Sequence, residues 1–102
     1  MKNSIIAERT LECSQDPRQK VIVKLARPKL NGRTKAYECT YQITGAALNL
    51  TRRAAGLDAF QALQVALGMI GIEIEHIEKK SGLRLTFSDL ASSGFPAIKV
   101  EG

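Results

Sequence analysis

The sequence predicts an α+β fold: an antiparallel β-meander of three to four strands packed on one long helix, with a short C-terminal edge strand. Three observations carry this. Large apolar residues recur at steps of three and four over Asp58–Lys79, the period of one helix face. The first half of the chain alternates apolar and polar with period two. Connections between the alternating segments are short, which makes sequential strands antiparallel neighbours. At 102 residues the chain fits one domain, 1–102, with a single modest core.

Ser4–Cys13 reads as the first strand, with Ile5, Ala7, Leu11 and Cys13 in one phase and Ile6, Glu8, Thr10 and Glu12 in the other. Arg9 falls in the apolar phase, so either its stem packs while its charge reaches out or a bulge shifts the strand. Ser14–Gln19 holds Asp16-Pro17 and is a turn. Lys20–Arg27 is the second strand, with Val21, Val23 and Leu25 inward. Pro28–Thr34 is a loop whose Asn31-Gly32 signals a hairpin. Lys35–Thr44 is the third strand, with Tyr37, Cys39, Tyr41 and Ile43 inward and Glu38, Thr40 and Gln42 outward. Gly45 then bends the chain. Residues 46–54 read as a fourth strand ending near Arg52-Arg53, with a short alanine-rich helix as the competing reading.

The helix is the main apolar surface on which the strands pack. Phe60, Leu63, Leu67, Ile70, Ile74 and Ile77 form its inward stripe. Asp58 is the N-cap, with Gln61 as its capping-box partner. Gly82 stops the helix, and Lys79 and Lys80 complement the negative end of its dipole. Each large aliphatic side chain buried there contributes roughly 1.5–3 kcal/mol. Ala59, Ala62, Ala66 and Met69 widen the apolar arc, and Val65 and Ile72 extend it beyond what one sheet covers. Either the C-terminal tail or a second molecule must cover this flank. Gly68 and Gly71 would admit a close backbone. After the helix, Leu83, Leu85 and Phe87 alternate as the final strand. Residues 88–102 are a loop anchored by Leu90, Phe95 and Ile98.

Net charge is +5, with 44% apolar and 25% charged residues. No apolar run approaches the ~20 residues of a membrane span, and Met1–Thr10 lacks the layout of a signal peptide. Two cysteines make no disulfide framework, and strands one and three lie too far apart to join them. These features point to a cytoplasmic chain with no membrane partner.

Motifs for chemistry are sparse. His76 follows Glu73 by three residues, but the Glu-x-x-His spacing occurs once and di-metal sites need it twice. No phosphate-binding glycine loop, zinc-ligand set or nucleophile elbow is present. No catalytic residue, metal site or cofactor is assigned. An enzyme would need a concave polar site gathering Arg52, Arg53, Tyr41 or His76. The strongest electrostatic feature is a basic hairpin of Arg18, Lys20, Lys24, Arg27, Lys29, Arg33 and Lys35, with Arg52 and Arg53 nearby. Such a stripe suits a phosphate backbone. Against that, the inward tyrosines leave no stacking platform, and Glu8, Glu12 and Glu38 flank Lys24 on the outward face.

The run Arg52–Leu67 completes a set of three motifs. Ala7–Leu11 reads Ala-Glu-Arg-Thr-Leu, Gly56–Leu63 reads Gly-x-Asp-x-x-Gln-Ala-Leu, and Gly94–Pro96 reads Gly-Phe-Pro. Together they resemble a family of small uncharacterised bacterial proteins carrying a domain of unknown function. The resemblance implies a bacterial intracellular protein and transfers no functional residue. The functional expectation is a non-enzymatic protein-interaction module. It would bind a protein partner or itself as a homodimer, through the helix flank (Val65, Gly68, Met69, Ile72) or the basic hairpin. Toxin neutralisation is one such role by fold-level analogy. Nucleic-acid binding through the hairpin is the alternative.

Overall fold

Period-two alternation produces strands wherever the sequence shows it, and pairing extends them. A computed structural model describes residues 4–88 and 90–96 of the chain. Its strands are β1 (Ile5–Cys13), β2 (Lys20–Ala26), β3 (Lys29–Leu30), β4 (Tyr37–Gly45), β5 (Leu48–Gly56) and β6 (Leu85–Thr86), with helix α1 (Ala59–Ser81) between the last two. All pairings are antiparallel. β1, β2, β4 and β5 lie side by side in chain order, and β6 returns to the far edge of β1. Among the described residues the sheet therefore has six strands, where a meander of three to four plus the C-terminal edge strand is expected. β3 is a two-residue pairing of Lys29 with Glu38 and Leu30 with Tyr37, inside what the sequence reads as a loop. The final strand shrinks to two residues, with Leu85 and Thr86 paired to Cys13 and Glu12, and the Phe87 N–H goes to the Ser92 carbonyl.

Asn31-Gly32 does sit in a hairpin, by a different device. The Asn31 side chain accepts from the Arg33 and Thr34 N–H groups at 2.9 and 3.2 Å, and Lys35 takes the left-handed conformation (φ 64°). Of the segment read as strand or short helix, Leu48 onward is strand: β5 pairs with β4 from Gly45↔Leu48 to Tyr37↔Gly56, two residues past the expected end. The intervening turn is Ala46-Ala47, both left-handed at φ 51° and 67°. That is the backbone of a type I′ turn, held here by residues that carry a Cβ.

Helix α1 runs unbroken through Gly68 and Gly71. The Asp58 side chain accepts from the Gln61 N–H at 2.7 Å, and the Gln61 side chain accepts from the Leu57 N–H at 2.6 Å. At the other end, left-handed Gly82 donates its N–H to the Glu78 carbonyl at 2.9 Å. The core joins Leu11, Val21, Val23, Leu25, Cys39, Tyr41 and Ile43 of the sheet to Ala62, Ala66, Ile70 and Ile74 of the helix. Cys13 and Cys39 are buried and unpaired, and Cys39 donates its thiol to the Ala26 carbonyl. Among the described residues no helix is long and apolar enough to cross a membrane.

Of the expected inward stripe, Ile70 and Ile74 are buried and Leu63, Leu67 and Ile77 pack half-buried against the core, while Phe60 turns out. Phe60 is 78% exposed. The fully buried line runs Ala62–Ala66–Ile70–Ile74, at steps of four. A Cβ on Gly56 would collide with the backbone of Ala62, so the first turn of α1 presses directly onto the end of β5. Small Ala62 and Ala66 allow that approach, and Phe60, two positions from Ala62 and roughly 160° away around the helix, is turned out. At the start of β1, Ile5 and Ala7 are exposed rather than inward, beside a register shift between them. Leu90 is also exposed rather than an anchor, while Phe95 is half-buried against the core. Ile98 lies outside the described residues.

Candidate functional site

Strand phase and helix register converge on a cleft between the β4–β5 turn and the C-terminal half of α1. Its volume is about 620 Å³. Ala46, Leu48, Leu50 and Ile77 supply apolar wall, and Arg52, Glu73, His76 and Lys80 supply the charged and titratable groups. Arg52 shares the phase of Leu48 and Leu50, so it faces the helix and not the outer surface. Its Nε lies 4.0 Å from the Glu73 carboxylate, and its Nη1 reaches the Thr51 carbonyl at 3.5 Å. Both are longer than a well-made N–H···O bond, so the guanidinium keeps donor capacity in the cleft.

Tyr41 stands opposite Arg52 in the β4–β5 ladder. It is fully buried, and its hydroxyl has no hydrogen-bond partner among the described residues. Burial, aided by the negative charge of Glu73 and opposed by Arg52, pushes its pKa up to about 12. The phenol thus stays protonated at neutral pH, a donor behind the Arg52–Glu73 pair. Of the residues an enzyme would have to gather, the fold brings together Arg52 and His76, with Tyr41 behind them. Arg53 goes to the opposite face of the sheet, where it pairs with Glu38 at 3.6 Å. Glu73 and Lys80 escaped the sequence reading as parts of this site. The signal that could have found Glu73 is the alternation through Leu48, Leu50 and Arg52, which leaves an inward arginine needing a carboxylate on the helix.

The second candidate is the solvent side of α1. Val65 and Ile72, expected as an interaction flank, are 36% and 46% exposed. Met69 packs partly against the core and Gly68 is buried, so neither is an exposed part of that surface. Leu57, 86% exposed, and Phe60 add bulk at the helix start. From Ala59 to Ile72 the helix carries no charged residue, and Gln61 and Gln64 are its only polar side chains. The described part of the C-terminal tail reaches α1 at Gly71, where a Cβ would collide with the Pro96 carbonyl oxygen. Gly71 does admit a close backbone, and it belongs to the same chain.

The basic hairpin is interleaved with acids. Asp16 pairs with Arg18 at 3.2 Å, and hydrogen bonds from the Arg18 backbone and side chain hold its carboxyl below the usual range. Lys20 pairs with Glu12 at 3.6 Å. Lys24 stands across from Glu8, and Lys29 across from Glu38. Arg27 and Arg33 are exposed. Arg52 and Arg53 do not extend the patch as a unit, because adjacent strand residues point to opposite faces. Cys39 offers no nucleophile, since burial pushes its thiol pKa up.

Residues 7–97 match the family described as Domain of unknown function (DUF6968), and the chain belongs to that family. No curated protein and no solved structure matches it.

Proposed function

We propose that this chain is a non-enzymatic interaction module that docks a second copy of itself on the solvent side of α1. The observation that carries this reading is the uncharged stretch Ala59–Ile72, which displays Phe60, Val65 and Ile72 to solvent. An exposed helix face ordinarily carries charge. Depletion of charge with retained aromatic and aliphatic residues is the composition of an interface centre. A face without charge selects no charged partner, and a two-fold axis lets the same patch serve both sides. The unpaired, buried Cys13 and Cys39 suit a reduced, cytoplasmic setting. For the basic hairpin, the acids set among its lysines and arginines favour a solvated, ion-paired surface over a track for nucleic acid.

Light scattering across a concentration series tests the proposal. A dimer is expected, and Val65→Glu with Ile72→Glu should convert it to a folded monomer. A wild-type chain that stays monomeric at every concentration would contradict it. A dimer that survives both substitutions would move the interface elsewhere. A stoichiometric complex with a different protein, seated on the same flank, would replace self-association by a hetero-partner.

A further inference from the structure

We propose that the cleft between the Ala46-Ala47 turn and the C-terminal half of α1 binds a small organic carboxylate with a short hydrocarbon tail. The polar groups there are mostly donors: the Arg52 guanidinium, the Lys80 ammonium and the His76 imidazole, against one carboxylate, Glu73. Arg52 and Lys80 set against Glu73 leave one surplus positive charge, which a monoanion balances. The planar fork of a guanidinium matches a carboxylate through two parallel N–H···O bonds. Arg52 has that capacity to offer, because its contact with Glu73 is long at 4.0 Å and its contact with Thr51 is longer than ideal at 3.5 Å.

Two further observations narrow the ligand. Leu48, Leu50 and Ile77 line the same cleft, giving a hydrocarbon tail a surface to cover. Glu73 shares the space with Arg52 and repels a dianion, which disfavours inorganic phosphate. The independent pointer to a ligand is Tyr41. A fully buried hydroxyl without a hydrogen-bond partner is uncommon in a native fold and asks for an explanation. When a ligand carboxylate draws Arg52 toward itself, the Glu73 carboxylate is released from its loose pairing and turns to accept from the Tyr41 hydroxyl. Ligand binding then satisfies the group that the free protein leaves unpaired.

The test is an NMR titration of the isotope-labelled full chain with butyrate, acetate, inorganic phosphate and butylamine as separate probes. Butyrate should give saturable shifts at Arg52, Glu73, Leu48 and Ile77, with tighter binding than acetate or phosphate and none by butylamine. Arg52→Gln should weaken butyrate by about ten- to a hundredfold, the size of a lost charge-assisted pair. Tyr41→Phe, which keeps the ring and removes only the hydroxyl, should weaken it by about tenfold at most while leaving the fold intact. The proposal is overturned if butyrate gives no saturable shift in the cleft, if phosphate binds there as tightly, if butylamine binds instead, or if Arg52→Gln binds butyrate as well as the wild type does. Equal butyrate affinity in Tyr41→Phe would overturn the coupling through Glu73.

Discussion

The two sides of α1, on either side of the buried Ala62–Ala66–Ile70–Ile74 line, are built by opposite means. One side is closed by the chain's own C-terminal segment. Pro96 comes down on Gly71, Phe95 packs beside the core, and the Arg9 guanidinium lies over the rings of Phe87 and Phe95 at 4.0 and 4.8 Å. The Arg9 guanidinium also donates to the Ser93 carbonyl at 3.3 Å. The other side leaves Val65 and Ile72 exposed in a stretch without charge. Apolar content alone does not tell a covered flank from an uncovered one. What closes the first is a glycine small enough to receive a backbone and a cation that clamps two aromatic rings.

That contrast can be broken first in the core. Ile70→Ala should cost about 2–5 kcal/mol, because Ile70 is fully buried, whereas Ile72→Ala should stay within about 0.5 kcal/mol in the monomer. Urea unfolding of the two variants side by side measures the difference, and equal costs would mean that the helix face is misassigned. On the closed flank, Gly71→Ala should cost about 1–3 kcal/mol, because its methyl must displace the Pro96 carbonyl. Increased proteolysis of the C-terminal segment should accompany that loss. Arg9→Ala should cost about 1–2 kcal/mol through lost ring contacts and stem packing. Arg9→Lys should recover only part of it, since an ammonium cannot lie flat on both rings.

The smallest effect concerns Tyr41 and appears only in alkali. Its folded pKa of about 12 lies above the unfolded value near 10. The native state therefore holds the proton longer, and the stability linked to it is complete below about pH 10 and is lost as pH rises toward 12. Tyr41→Phe should flatten the fall in stability over that window. Spectrophotometric titration should show a late tyrosine that the substitution removes.

Much of the fold was legible because it rests on periodicity. The helix, its Asp58 and Gly82 caps, and the inward phase of Val21, Val23, Cys39, Tyr41 and Ile43 follow from spacing and capping chemistry. What was not legible depends on how closely elements approach. Nothing in the spacing of Phe60 says that Gly56 and Ala62 meet backbone to backbone and turn the ring out. Ala46-Ala47 is a poor turn sequence by local preference, and pairing of β5 along the whole of β4 overrides it. The alternation leaves stem packing and a bulge both open for Arg9, and the rings that receive its charge, Phe87 and Phe95, lie too far along the chain for any local pattern to name them. Adjacency groups Arg52 with Arg53, but strand alternation places them on opposite faces. Local alternation held the information to separate them, once the segment was known to be a strand.

Self-association depends on whether the exposed side of α1 meets another copy of the chain. A dilution series followed by methyl NMR tests this directly. The Val65 and Ile72 methyl signals should shift with concentration along one binding curve, while those of Ile70 and Ile74 hold still. Signals from Val65 and Ile72 that stay fixed from the most concentrated sample to the most dilute, in a chain that remains monomeric throughout, would contradict it.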